Sequence, residues 1–237
     1  MIQQQLIARV RELCRADDRL SAALMYGSFV TGEADEHSDV EFWLFSDVEP
    51  EPVEWLRRVG PVQHVVVNEF GAHVAFFPGL IRGEFHFCRD ISVVATWPHR
   101  DVEIIVDRTG ALRAAVDQPP PETDEHDLGG RFANWLILTH RVAQRGELLR
   151  AVDALTQVQR HLLWMTRLAQ GRAEHWLTPS RAAETDLPQP VVDALHRATA
   201  TAGPESITAA LRAAWTLGRD YAHLPPALTA ELDAALR

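Results

Sequence analysis

The spacing of apolar residues divides the chain in two. In residues 1–116 they come in runs of strand length broken by glycine, proline and acidic turns. From residue 128 onward they recur every three or four positions, the helical period. The first half opens with a helical stripe in Ile2–Cys14, formed by Leu6, Ile7, Val10 and Leu13. Ala22–Tyr26 predicts a buried strand ending at the Gly27-Ser28 turn, and Asp39–Phe45 a second strand. Pro50–Arg58 reads as a short helix stopped by Gly60-Pro61. The valine-rich run Val62–Phe70 predicts a central strand, followed by strands at Val74–Phe77, Leu80–Phe87 and Val102–Val106, with a short helix from Ala111. Asp117–Asp127 is proline-rich, acidic and almost free of apolar side chains, so it is expected as a linker. Beyond it, helices are expected over Leu128–Gln144, Glu147–Gln170, Gln189–Thr201, Glu205–Tyr221 and Leu228–Leu236. Thr178-Pro179-Ser180 reads as a helix start, with a capping hydroxyl and proline at the first helical position. The pattern gives an α+β protein: a sheet domain with flanking helices over 1–116, a linker over 117–127 and an all-α helical bundle over 128–237.

Composition narrows the partners. Of the 237 residues, 46% are hydrophobic, enough for a core in each half. The net charge is -10, and with no lysine in the sequence every permanently charged basic side chain is arginine. That balance argues against a nucleic-acid partner, which needs a basic face, and suits a small substrate. The two cysteines, Cys14 and Cys88, lie far apart without metal-ligand spacing. The N-terminus lacks the features of a signal peptide and no run reaches membrane-spanning length, so no membrane partner and a cytoplasmic location are expected.

Alternation along the second strand puts Asp39, Glu41 and Trp43 on one face and Val40, Phe42 and Leu44 on the other. Two carboxylates so placed on an apolar strand are costly to bury unless a cation neutralises them, and oxygen ligands suit a hard ion such as Mg2+. Gly27 lets the backbone approach a ligand, and amides at Ser28 and its neighbours suit a phosphate. Along Leu80–Phe87, Arg82, Glu84 and His86 share a face while Phe85 and Phe87 point to a core.

Gly27-Ser28 followed by Asp39-Val40-Glu41 resembles the signature of the DNA polymerase beta-like nucleotidyltransferase superfamily. The fuller string, Met25-Tyr26-Gly27-Ser28-Phe29 through Gly32-Glu33 to Ser38-Asp39-Val40-Glu41-Phe42, more narrowly resembles the lincosamide nucleotidyltransferases. His175-Trp176-Leu177-Thr178-Pro179-Ser180-Arg181 is similar to a segment of the same group, or is simply a capped helix over a buried tryptophan. The resemblance implies a nucleotidyltransferase-type mixed β-sheet, two Mg2+ ions and ATP or another nucleoside triphosphate as co-substrate. Asp39 and Glu41 would be metal ligands; Glu41 stands where the superfamily more often has Asp. A third carboxylate is implied on a later strand, as metal ligand or general base. Glu84 fits best, with Glu69 and Asp90 as rivals.

Ser28 would bond a phosphate that Gly27 admits. Ser38 would touch phosphate or shape its turn, and Arg82 would neutralise the triphosphate or pair with Glu84. Trp43 and His86 are candidates for the acceptor pocket, with core packing as their alternative. The implied activity is transfer of AMP to a lincosamide hydroxyl, giving antibiotic resistance, with a possible homodimer and an acceptor pocket built by the helical half. An aminoglycoside acceptor keeps the same chemistry. A non-catalytic, antitoxin-like fold that binds a partner protein is the alternative of another class.

Overall fold

The computed structural model describes residues 2–48, 51–97, 101–119, 127–172 and 175–236. The chain divides into two compact units, Met1–Glu122 and Thr123–Arg237. Most of the acidic, proline-rich segment expected as a linker, residues 120–126, lies outside the described residues.

The first unit begins with helix α1 (Ile2–Ala16), whose Leu6, Ile7, Val10, Leu13 and Cys14 are buried as one stripe. Strand β1 (Leu20–Tyr26) leads through a single helical turn, α2 (Ser28–Thr31), to β2 (Val40–Ser46). Helix α3 (Pro52–Arg57) carries proline in its first turn and buries Trp55 and Leu56. Then come β3 (His64–Val67), β4 (His73–Phe77), β5 (Ile81–Cys88), a 3-10 turn (Ile91–Thr96), β6 (Glu103–Asp107) and α4 (Ala111–Val116). The six strands form a mixed sheet in the order β3-β4-β5-β2-β1-β6. β2 and β5 pair in parallel at its centre, and the flanking pairs are antiparallel.

Alternation gives the sheet two different faces. Val40, Phe42 and Leu44 of β2 and Phe85 of β5 pack against α1 and α3, with the Phe42 and Phe85 rings stacked 5.4 Å apart. Complete burial of a phenylalanine such as Phe42 contributes about 2 kcal/mol. On the other face Ala22, Leu24 and Phe45 pack against Val94, Leu112 and Ala115 of the 3-10 turn and α4. Tyr26 and Trp43, partly buried, pack against that core, so the polar positions of β2 and β5 lie along its border.

The run expected as a central strand is β3, which is an edge strand and spans only His64–Val67. Val66 and Val67 are 43% and 55% exposed, so β-branched content here marks strand propensity without central position. The strand stops before Glu69, which lies in the β3–β4 turn beside the far half of β5, as the pairing of His73 with Phe85 requires. The 3-10 turn was not anticipated; Asp90 caps it, accepting from the Ser92 amide at 2.8 Å.

In the second unit α5 (Leu128–Gln144) and α6 (Leu148–Ala169) form a hairpin. Helices α7 (Ala183–Asp186), α8 (Gln189–Arg197), α9 (Pro204–Gly218) and α10 (Pro226–Ala235) complete the unit. Gly218 lets α9 approach α5: a Cβ there would collide with the Phe132 ring. The expected helix start at Thr178-Pro179-Ser180 is instead a series of turns, and α7 begins at Ala183. The cause is Arg167, which is 1% exposed and donates to the carbonyls of Pro179 (2.7 Å) and Arg181 and to Asp186 (3.2 Å). Those carbonyls serve the buried guanidinium, which could not otherwise be satisfied.

Candidate active site

The pairing of β2 with β5 does what neither sequence segment does alone. Its register sets Glu41 directly beside Glu84 and Trp43 beside His86. β1 adds Tyr26 on the other side of Glu41. Carboxylates placed side by side repel, so this row needs a neighbouring cation. Here the cation is Arg82, two residues before Glu84 on the same face. It donates to Oδ2 of Asp39 and, at 2.5 Å, to Oε2 of Glu84.

Glu84 is held from its other oxygen as well. Its Oε1 lies 3.2 Å from Nε2 of His86 and 3.4 Å from the Tyr26 hydroxyl, which is itself 3.1 Å from the same histidine nitrogen. The hydrogen bond with His86 and the Arg82 guanidinium hold the Glu84 carboxyl below the usual range, against the opposing effect of burial. Burial pulls the Arg82 guanidinium down, but its bonds to Asp39 and Glu84 outweigh this and raise it. Burial, and then the nearby Glu84 charge, push the Tyr26 phenol well up, so it stays protonated as a donor.

Aromatic rings flank this polar row. Trp43 and His86 stack at 4.2 Å with planes 9° apart, and Trp97 meets Tyr26 edge-on at 4.6 Å. Tyr26 and Trp97 were not among the site residues expected from sequence. Tyr26 carried a signal in its place just before Gly27, at the end of a strand that must pair somewhere. Trp97, at the exit of the 3-10 turn, carried none.

Gly27 sits at φ 79° and ψ -161°, a conformation essentially confined to glycine. Its missing side chain makes room for Glu41: a Cβ would overlap Oε2 of that carboxylate. The glycine thus seats a carboxylate at the mouth of the turn, where the sequence suggested room for a phosphate. Ser28, in the following turn, is only 4% exposed. The Ser38 hydroxyl is engaged in its own loop, donating to Asp35 Oδ1 at 3.0 Å and accepting from the Asp35 amide at 2.9 Å. Asp39, Glu41, Glu84, Arg82, His86 and Trp43 are therefore brought to one face, with Gly27 against Glu41. Ser38 faces its loop and Glu69 lies elsewhere.

The donor chemistry fits a hard divalent ion: Asp39, Glu41 and Glu84 offer oxygens from adjacent strands, and Gly27 leaves space for one of them. Among the described residues no three His, Cys, Asp or Glu side chains converge as a ready-made metal cluster. Two of the oxygens such a cluster would use are bonded to Arg82.

Residues 123–233 match the family described as lincosamide nucleotidyltransferase-like, C-terminal domain. The chain is thus an α+β protein with a mixed six-stranded sheet unit and a helical unit. The matched residues span nearly the whole of that helical unit. Among solved structures, the chain is similar to an aminoglycoside 6-adenyltransferase from Bacillus subtilis, at 13% identity over 98% of this chain and 90% of that one, with a TM-score of 0.38. It is also similar to a nucleotidyltransferase-like protein from Exiguobacterium sibiricum, at 15% identity over 93% and 75%, with a TM-score of 0.42. A third likeness is to a CCA-adding enzyme from Thermotoga maritima in complex with tRNA, at 14% identity over 98% and 71%, with a TM-score of 0.36. No curated protein sequence matches the chain. Among the described residues no helix is long and apolar enough to cross a membrane.

Proposed function

We propose that this protein is a Mg2+-dependent nucleotidyltransferase that moves AMP from ATP to a hydroxyl of a lincosamide such as clindamycin, releasing pyrophosphate. The observation that carries the reading is the juxtaposition of Glu41 with Glu84 across β2 and β5, with Gly27 beneath Glu41. The match of the helical unit to a lincosamide nucleotidyltransferase-like domain supports the acceptor.

In this reading Asp39, Glu41 and Glu84 would hold the divalent ions. When bound, those ions supply charge that neutralises the reacting phosphate and orients the attacking and leaving oxygens. Arg82 binds the triphosphate, matching its oxygens with a planar guanidinium. The acceptor oxygen bonds to the α-phosphorus as the bond to the bridging oxygen breaks, and pyrophosphate leaves. Glu84 takes the hydroxyl proton, while His86 and Tyr26 fix the orientation of its carboxylate. Trp43, stacked on His86, gives the site an apolar wall against which a small acceptor can lie.

The test is pyrophosphate release from ATP and Mg2+ with clindamycin, lincomycin and an aminoglycoside panel supplied separately, and Asp39→Asn as the inactive control. Release with a lincosamide supports the proposal. Release with aminoglycosides alone keeps the chemistry and overturns the acceptor. Silence with every acceptor, from folded protein, favours a partner-binding role.

A further inference from the structure

Arg82 uses the same carboxylates that the proposed reaction assigns to metal. One of its nitrogens donates to Oδ2 of Asp39 and another to Oε2 of Glu84. Oε1 of Glu84 is meanwhile engaged by His86 and Tyr26, so both oxygens of Glu84 already have partners. A guanidinium only donates and stays charged, so it and a divalent ion cannot take the same lone pairs together. The Arg82 side chain is 35% exposed, on the border of the core, so it can leave without opening that core.

We infer that Arg82 competes with the divalent ion for Asp39 and Glu84 and thereby sets the metal affinity of the site. A nucleoside triphosphate offers the guanidinium a second set of paired oxygens, so its arrival draws Arg82 from the carboxylates and admits the metal. Nucleotide and metal binding are then positively coupled through one side chain. This inference rests on the metal-dependent reading of the site. It adds that metal binding without nucleotide is weak because an internal cation opposes it. A purely structural Arg82 predicts the reverse, since its loss would disorder the carboxylates and weaken metal binding.

The experiment is a Mn2+ titration of the full chain without nucleotide, counting free ion by electron paramagnetic resonance, at low and high salt. Arg82→Gln is expected to bind Mn2+ roughly tenfold more tightly than the unsubstituted protein, the effect of freeing about one charged hydrogen bond. Arg82→Lys should fall between them. The gain should persist at high salt, because it comes from direct contact. Adding Asp39→Asn to Arg82→Gln should remove it, placing the ion at this site. Should Arg82→Gln be poorly stable, a larger rise in its melting temperature on adding Mn2+ than in the unsubstituted protein reads the same linkage. Equal or weaker Mn2+ binding by Arg82→Gln overturns the competition and leaves the proposed reaction standing. A gain that vanishes at high salt also overturns it, as a through-space charge effect. Absence of Mn2+ binding in both proteins overturns the competition, and pyrophosphate release that needs no divalent ion overturns the metal-dependent reading.

Discussion

A methyl group added at Gly27 would have to share space with Oε2 of Glu41. Gly27→Ala therefore perturbs stability and chemistry through separate causes, and their sizes can be worked out separately. The backbone at φ 79° and ψ -161° costs a non-glycine residue about 1–3 kcal/mol. For a domain of this size that lowers the melting temperature by roughly 3–10 °C. The steric conflict acts on the site: the Glu41 carboxylate must swing from its place beside Glu84. Losing one preorganised electrostatic group commonly costs about 10²–10³ in kcat. The assay is pyrophosphate release at a temperature where both proteins are fully folded by circular dichroism. Gly27→Ala should then lose at least about a hundredfold in kcat. Adding Glu41→Asp, one methylene shorter, should clear the collision and restore part of kcat while leaving the thermal deficit. Undiminished kcat in Gly27→Ala, or a loss that only follows the unfolded fraction, would refute the role given to the glycine.

Three other perturbations probe different parts of the account. Glu84→Gln keeps the shape between Arg82 and His86 but removes the charge, so kcat should fall by at least about a hundredfold while the melting transition stays cooperative. Asp17, with its side chain 6% exposed and bonded to Arg19, has its pKa lowered from 3.8 to about 2. A depressed carboxyl pKa gives stability that is present above about pH 4 and lost as pH falls towards 2, worth up to ~2 kcal/mol. Urea midpoints measured across that window should drop, and Asp17→Asn should flatten the part of the drop due to this group. Arg167→Ala strips the donors from Pro179, Arg181 and Asp186 in the helical unit. It should destabilise that unit by about 3 kcal/mol or more in calorimetry, since a buried partner is left unpaired.

Local periodicity was enough to place the chemistry on faces. Alternation alone put Asp39, Glu41 and Trp43 together, and Arg82, Glu84 and His86 together, and the structure keeps both sets. A sheet unit followed by a helical unit also agrees with the pattern, and the mixed pairing of the sheet with what the resemblance implied. What the pattern does not contain is pairing. That β2 lies parallel to β5, so that Glu41 meets Glu84, depends on how distant strands assemble. The same limit explains β3, where a valine run carries strand propensity but no sign that the strand lies at the edge of the sheet. At Thr178-Pro179-Ser180 the local capping signal was sound by its own rule. A buried arginine on α6 claims the neighbouring carbonyls, and nothing near them in sequence announces it. Ser38 was open between phosphate and turn, and its bonds to Asp35 place its hydroxyl in the turn.

The central claim is that the group transferred is a nucleoside monophosphate and that its acceptor is a lincosamide. The mass of clindamycin recovered after incubation with the protein, ATP and Mg2+ tests both parts at once. The account predicts clindamycin heavier by one AMP, and unchanged clindamycin when Asp39→Asn replaces the protein. Clindamycin heavier by a single phosphate, or recovered unaltered from active, folded protein, would contradict it.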